Sequence, residues 1–351
     1  MMTILEESNT ANIKLVNFLR CKSCEQKLIL EEKKLFCYKC GKTYYCHNNI
    51  YRFIDGEYHS NFGIQWNTFP TVQLDSFNGS NESESRLLNQ SQLNPTDFKN
   101  KLILEVGSGN GRFTELFLKY GAKVIAIDYS TAIDANLKNH MKNYQQGNFL
   151  PLQADLFELP LSSGSFDMVF CYGVIQHTGD NLRALKSIAK YVNKDGKLFV
   201  DIYAISFIHF NPFIYLMRFI LQKFKISDLA RLKFVKSFVK FIFPFQVHIL
   251  TYLYKKRGLL NYIRYIINRS PNSVYGINLW LDGKISKKCA YDWCILDTFD
   301  AWAPKHDHPV TSHQWNDLLN LIVDTGFLIE KVGSSGQGYT AILRRSSSIE
   351  K

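Results

Sequence analysis

The chain has no long apolar run. The apolar stretch Ile202 to Met217, free of Asp, Glu, Lys and Arg, has 16 residues and is broken by Asn211-Pro212. That is short of the roughly 20 residues that carry a helix across a bilayer. The opening residues, MMTILEESNTANIK, are polar and acidic, so no secretory leader is expected and the sequence reads as cytoplasmic. Proline is scarce, at 9 of 351 residues, and glycine is ordinary at 20, which excludes collagen-like and Pro/Gly-rich disordered chains. Acid is missing in one place above all. Between Ile205 and Ser270 there is a single acid, Asp228, against twelve Lys/Arg. The difference, +11, equals the formal charge of the whole chain, so the rest is neutral in sum. The same segment holds fifteen Phe/Tyr and stands apart as a module by composition.

What is present supports a sizeable core: 46% of residues are hydrophobic, and this length has room for two or three domains. Residues 1–55 carry two CxxC pairs. Residues 56–100 include the Ser/Asn-rich DSFNGSNESESRLLNQSQLNPTDFKN and read as linker or loose helix. From 101 to 204, strand-like runs (KLILEV, AKVIAID, FLPLQAD, FDMVFCYG, GKLFVDIY) alternate with helical spacing in RFTELFLKYG and NLRALKSIAKYVNK. Such alternation means an α/β fold with a doubly wound parallel sheet. Residues 205–296 form a mostly helical basic and aromatic insertion, and 297–351 return to the core.

CKSC (Cys21, Cys24) and CYKC (Cys37, Cys40) are separated by twelve residues. Two such knuckles place four thiolates tetrahedrally around Zn²⁺ and leave no open position, so the site is expected to be structural. Cys46 and His47 read as packing or surface residues of the following hairpin.

LILEVGSGNGRF places Gly107, Gly109 and Gly111 after a strand and before a helix. Glycines there permit positive φ and close approach of a ligand to the backbone. A dinucleotide loop needs a third glycine at position 112, where this chain has Arg112. The next two strands end in Asp128 and Asp155. Taken in order, ILEVGSGNGRFTELFLKYGAKVIAIDYS, LQADLFELPLSSGSFDMVFCYGVIQHT and VNKDGKLFVDIY resemble the successive motifs of the class I S-adenosylmethionine-dependent methyltransferases. TSHQWNDLLNLIVDTGFLIEKVGSSGQGYTAILRR resembles that family's last helix and antiparallel strand pair. The resemblance implies a seven-stranded Rossmann-like sheet and S-adenosyl-L-methionine as cofactor. It assigns Glu105, Gly107, Ser108, Gly109 and Gly111 to the methionine part and ribose, and Asp128 with Tyr129 to the ribose hydroxyls. Asp155 with Leu156 falls to adenine, and Tyr172 lies beside the methionine moiety.

FGIQWNTF and DTFDAWAPKHDHPVT resemble flanking segments of a bacterial branch of these enzymes that carries a zinc ribbon. The resemblance implies that the first covers the cofactor pocket and the second returns the chain from a cap. Gln65, Trp66, Asp307 and His308 are thereby substrate-site candidates, and His306 stands where Tyr is expected. His177, in GVIQHTGD, has the right chemistry for a general base near neutral pH. The expected acceptor is a small molecule or a lipid-linked one, methylated at O or N. An rRNA or tRNA base is the alternative, since twelve basic residues suit phosphates, and a non-catalytic cofactor-bound scaffold is a third reading. In ARLKFVKSFVKFIF, helical spacing puts Lys233, Lys236 and Lys240 on one stripe beside an apolar side of Leu232, Val235, Val239 and Ile242, extended by Phe238 and Phe241. Pro244 is expected to end or kink that helix. Contact with an anionic membrane surface is one expectation for this stripe; a solvated lid is the other.

Overall fold

Near-continuous apolar runs such as LILEV and KVIAID suit strands covered on both faces. In the computed structural model they lie at the centre of one mixed sheet. The structure describes residues 13–54, 61–205, 211–256, 258–268, 270–303, 307–335 and 338–346; His306 lies outside them. The strands are β1 (Ile29–Glu31), β2 (Lys34–Phe36), β3 (Thr43–His47), β4 (Ile50–Arg52), β5 (Leu102–Val106), β6 (Lys123–Asp128), β7 (Phe149–Gln153), β8 (Phe166–Cys171), β9 (Val192–Tyr203), β10 (Phe327–Ser335) and β11 (Gly338–Arg345). Their order is β1-β2-β3-β4-β7-β6-β5-β8-β9-β11-β10. Strands β7, β6, β5, β8 and β9 run parallel, and β11 and β10 close that end antiparallel. The order reverses beside β5, which opens a crevice at the carboxyl ends of β5 and β8.

The sheet has eleven strands, against the seven expected. The four extra strands belong to the cysteine-bearing segment. β4 adds in parallel to β7, pairing Tyr51 with Leu152 and Arg52 with Gln153. Without it β7 would be an open edge with unpaired backbone groups. The Arg52 guanidinium clamps the join, 2.6 Å from both Asp134 Oδ1 and Gln153 Oε1. Leu19, Leu28 and Leu35 of the segment share one core with Leu150, Leu152 and Val169 of the sheet. Phe98, Phe117, Phe170 and Phe199 fill the opposite face.

The Ser/Asn-rich stretch is not loose. It forms the helix Glu82–Ser91, and the Asp75 carboxylate caps that helix by accepting from the Ser83 and Glu84 N–H groups (3.0 and 2.8 Å). The insertion folds into helices Pro212–Lys223, Asp228–Leu253, Leu259–Ile267 and Tyr275–Leu281, and the helix Lys287–Trp302 leads back to the core. Trp293, Phe299 and Trp302 centre this cap. Pro244 does not end the helix, which runs 26 residues from Asp228 to Leu253. Buried residues on both sides of the proline, Val235, Val239, Val247 and Leu250, hold the two halves on one core. By length and composition it is the one helix among the described residues apolar enough to cross a membrane, with a third of its apolar window buried in the cap.

Candidate functional site

The crevice is lined first by backbone. Gly107, Gly109 and Gly111 all take positive φ, at 72°, 54° and 89°, and the space a side chain would need is occupied. A Cβ on Gly107 would lie 2.2 Å from the Val174 side chain, and one on Gly111 2.3 Å from Asn136 Oδ1. A Cβ on Gly109 would touch the Trp66 indole at 3.1 Å. The helix after the loop begins at Thr114. Asp128, at the end of β6, ties the loop down: its Oδ2 accepts the Gly109 N–H at 2.9 Å, and its Oδ1 accepts the Ser130 N–H and hydroxyl. Burial pushes the Asp128 carboxyl above the usual carboxylate range, against these hydrogen bonds. The buried Ser108 Oγ has no hydrogen-bond partner.

Glu105 sits beneath the loop, where the Thr114 hydroxyl donates to it. Burial raises its carboxyl to about 8. Asp155 accepts from the Phe157 N–H at 2.9 Å and so caps its own short turn at Leu156. Tyr129 is 41% exposed at the rim. Tyr172 is buried, edge-on to Phe113 and Phe170. Thus Gly107, Ser108, Gly109, Gly111, Asp128, Asp155 and Tyr172 converge on the carboxyl ends of four adjacent strands.

The covering helix is Asn61–Thr68. Asn67 Nδ2 donates to the Thr131 carbonyl (2.8 Å), and Asn110 Nδ2 and Asn139 Nδ2 both donate to the Pro70 carbonyl. This roof brings Trp66 over the glycine loop and buries Gln65 completely. Neither the Gln65 nor the Gln176 side-chain amide meets a hydrogen-bond partner at normal geometry. Gln65 still favours the charged form of Asp300. The His177 ring stands 5.4 Å from Phe62 and 5.7 Å from Tyr203. Asp307 is drawn to Arg218 (2.6 Å), and His308 donates its N–H to the Gln176 carbonyl.

Sequence reasoning missed four charged residues here. Asp201 on β9 accepts the Gly173 N–H and pairs with Arg86 at 2.8 Å. Burial raises both Asp201 and Asp300, and each is opposed by the charge of His177. Asp297 is pushed up by burial to about 7. The one sequence signal was an acid inside the apolar run LFVDIY; the partners lie more than a hundred residues away in some cases.

The four cysteines fit a metal. The Sγ atoms of Cys21, Cys24, Cys37 and Cys40 all lie within 4.8 Å of one another. Cys21 and Cys40 are 3.5 Å apart, Cys24 and Cys37 3.4 Å, close to the roughly 3.8 Å edge of a tetrahedron with 2.3 Å Zn–S bonds. The Tyr44 hydroxyl lies 3.4 Å from Cys21 Sγ. Cys46 is outside the cluster.

Residues 104–200 match the family model described as a methyltransferase domain. Over 101 residues the chain is 34% identical to the ubiquinone biosynthesis O-methyltransferase of Coxiella burnetii, a match that covers 29% of this chain and 43% of that protein. It is 29% identical to the tRNA U34 carboxymethyltransferase of Campylobacter lari, covering 30% and 36% of the two chains. The chain therefore spans less than half the length of these curated relatives. Among solved structures, the match to magnesium protoporphyrin IX methyltransferase from Synechocystis covers 84% of this chain and 91% of that one at 14% identity and a TM-score of 0.38. The sheet edge described above thus lies in the span that matches a methyltransferase domain, in keeping with the class I resemblance of its motifs.

Purified protein is expected to hold one equivalent of zinc, measured by metal analysis. The ribbon shares its core with the sheet, so chelation or Cys21→Ser with Cys40→Ser should lower a single unfolding midpoint by roughly 10 °C or more. Two separate transitions, or an unchanged midpoint, would contradict a shared core. Glu105 makes a second expectation. Its folded value, about 8, lies above its ordinary value of 4.5, so the folded chain holds a proton that the unfolded chain releases. The associated stability is full below pH 4.5, falls as pH rises, and is gone above about 8. Urea unfolding of the cofactor-free protein should show that decline, and Glu105→Gln should make it shallower; an identical slope in the variant would sink the assignment.

Proposed function

We propose that this chain is a methyltransferase that uses S-adenosyl-L-methionine to methylate O or N of a small-molecule or lipid-linked acceptor. The observation that carries this reading is the buried Asp128 carboxylate, bonded to the Gly109 N–H within a domain that matches methyltransferases. The residues fit the cofactor. The three bare Cα positions let a ligand reach the backbone, and Asp128 Oδ2 keeps acceptor capacity for a ribose hydroxyl. The unpartnered Ser108 and Gln176 polar atoms are buried groups that a bound ligand would satisfy. Asp155 and Leu156 serve the adenine end, Tyr129 the rim, and Glu105 supports the loop through Thr114. Tyr172, Trp66 and Gln65 enclose the methionine end.

When bound, S-adenosylmethionine supplies a sulfonium-activated methyl group. The chain's own task is then to place the acceptor in line and keep water out, and the Asn61–Thr68 roof does both. His177 takes the acceptor's proton at an imidazole nitrogen, and the nearby Asp201 and Asp300 carboxylates stabilise the imidazolium formed. Asp307 and His308 hold the return segment beside this base. Zn²⁺ on the four cysteines is structural. A cytoplasmic enzyme that meets its acceptor at a membrane surface suits the same reading. The basic segment favours a second one, an RNA base as acceptor; a scaffold that only binds the cofactor is the third.

Calorimetric titration should show binding of S-adenosylmethionine and its demethylated product but not NAD. Asp128→Ala should weaken that binding by roughly 1–3 kcal/mol. Tight NAD binding without either methyl-donor form would refute the proposal. With labelled S-adenosylmethionine and a lipid-containing cell extract as acceptor source, His177→Ala should cut label transfer by about 10²- to 10⁴-fold and leave cofactor affinity unchanged. Undiminished transfer would remove His177 from the mechanism.

A further inference from the structure

The long cap helix Asp228–Leu253 has two apolar faces, and the molecule uses one. Leu232, Val235, Val239, Phe243, Val247 and Leu250 are buried in the cap core. That includes three of the six residues the sequence pattern offered to a bilayer, Leu232, Val235 and Val239, and they are spent on packing. Lys236 is turned inward too, with its ammonium over the Phe69 ring. A second face has no cover. Phe234, Phe241, Phe245, Ile249 and Tyr252 are 46%, 73%, 59%, 42% and 64% exposed. Their spacing keeps them on one side of the helix. Lys233 and Lys240 are exposed and precede Phe234 and Phe241 by one residue, so each lies about 100° round on the flank of that stripe. The helices before and after it in the chain also expose apolar side chains: Phe213, Leu216 and Phe219, and Tyr262, Ile263 and Ile266.

An exposed apolar surface of this extent marks a contact site. Its charge states what the contact is made with. The segment carries a net +11, so the partner is anionic. The core of a protein interface is depleted in lysine, and a nucleic-acid interface is polar; neither matches an apolar stripe of Phe241, Phe245 and Ile249 flanked by Lys233 and Lys240.

We propose that this face is a docking surface for an anionic lipid bilayer. The aromatic stripe enters the boundary between headgroups and acyl chains, and Lys233 and Lys240 meet anionic headgroups. The helix lies along the interface and not across it, because its other face is committed to the cap core. The contact is separate from the methyl-transfer site and stands or falls independently of it.

The test is co-sedimentation of the full chain with vesicles of phosphatidylcholine alone and of phosphatidylcholine with phosphatidylglycerol, at low and high salt. The mixed vesicles should bind at low salt at least tenfold more tightly than the neutral ones, and high salt should weaken them. Phe241→Ser with Phe245→Ser changes two exposed side chains and should reduce binding at least tenfold with the thermal midpoint and S-adenosylmethionine affinity retained. Lys233→Glu with Lys240→Glu should remove most of the salt dependence. No binding to mixed vesicles at any salt overturns the proposal, as does undiminished binding of the phenylalanine variant. Retention of a structured RNA in a gel-shift assay, with no vesicle binding, overturns it in favour of a nucleic-acid face.

Discussion

One hydrogen bond organises the sheet edge: the Asp128 carboxylate on β6 accepting the Gly109 N–H of the loop that leaves β5, at 2.9 Å. It closes only if the loop backbone passes through the left-handed region at three alternate positions, which glycine alone does without strain. Ser130 donates to the same carboxylate, so the buried charge is surrounded by donors and needs no cation. The roof rests on that loop in turn, since Trp66 lies on Gly109 and Asn110 holds Pro70. A pocket assembled from backbone in this way has its shape before any ligand arrives, which is the condition for positioning to contribute to rate.

How far the sequence discloses this arrangement depends on the range of the interactions. The parallel strands, the glycine loop and the cysteine cluster were legible because each is written in residues near one another in the chain. Residues 104–200, the span matched as a methyltransferase domain, hold all of the cofactor-loop candidates. The fusion of the ribbon with the sheet was not legible. β4 is only Ile50–Arg52, and its pairing with β7 joins residues about a hundred positions apart. The same holds for Asp201 with Arg86, 115 positions apart. Pro244 fails to end its helix for a different reason: local propensity argues for a break, whereas the core on which both halves of the helix pack argues for continuity, and the packing wins.

The cap separates its charges across its own thickness, and this links the site to the surface. Two acids of the return helix, Asp300 and Asp297, are subject to strong burial, and Asp307 beyond it holds Arg218. Arg218, Arg231 and Arg264 of the segment are spent on structure inside the cap, Arg264 by donating to Asn278. Arg218 also donates to the Ala301 carbonyl, and the buried Arg231 reaches the Ala303 and Leu221 carbonyls and pairs with Asp228. The described lysines of the segment other than Lys236 are exposed. The excess charge therefore lies outward because the inward cations are neutralised where they sit. An acidic inner side beside His177 and a basic, aromatic outer side give the cap opposite chemistry on its two faces. On the proposed reading, a lipid-linked acceptor would meet both: its anchor would stay with the anionic surface, and its reactive head would be carried inward toward His177.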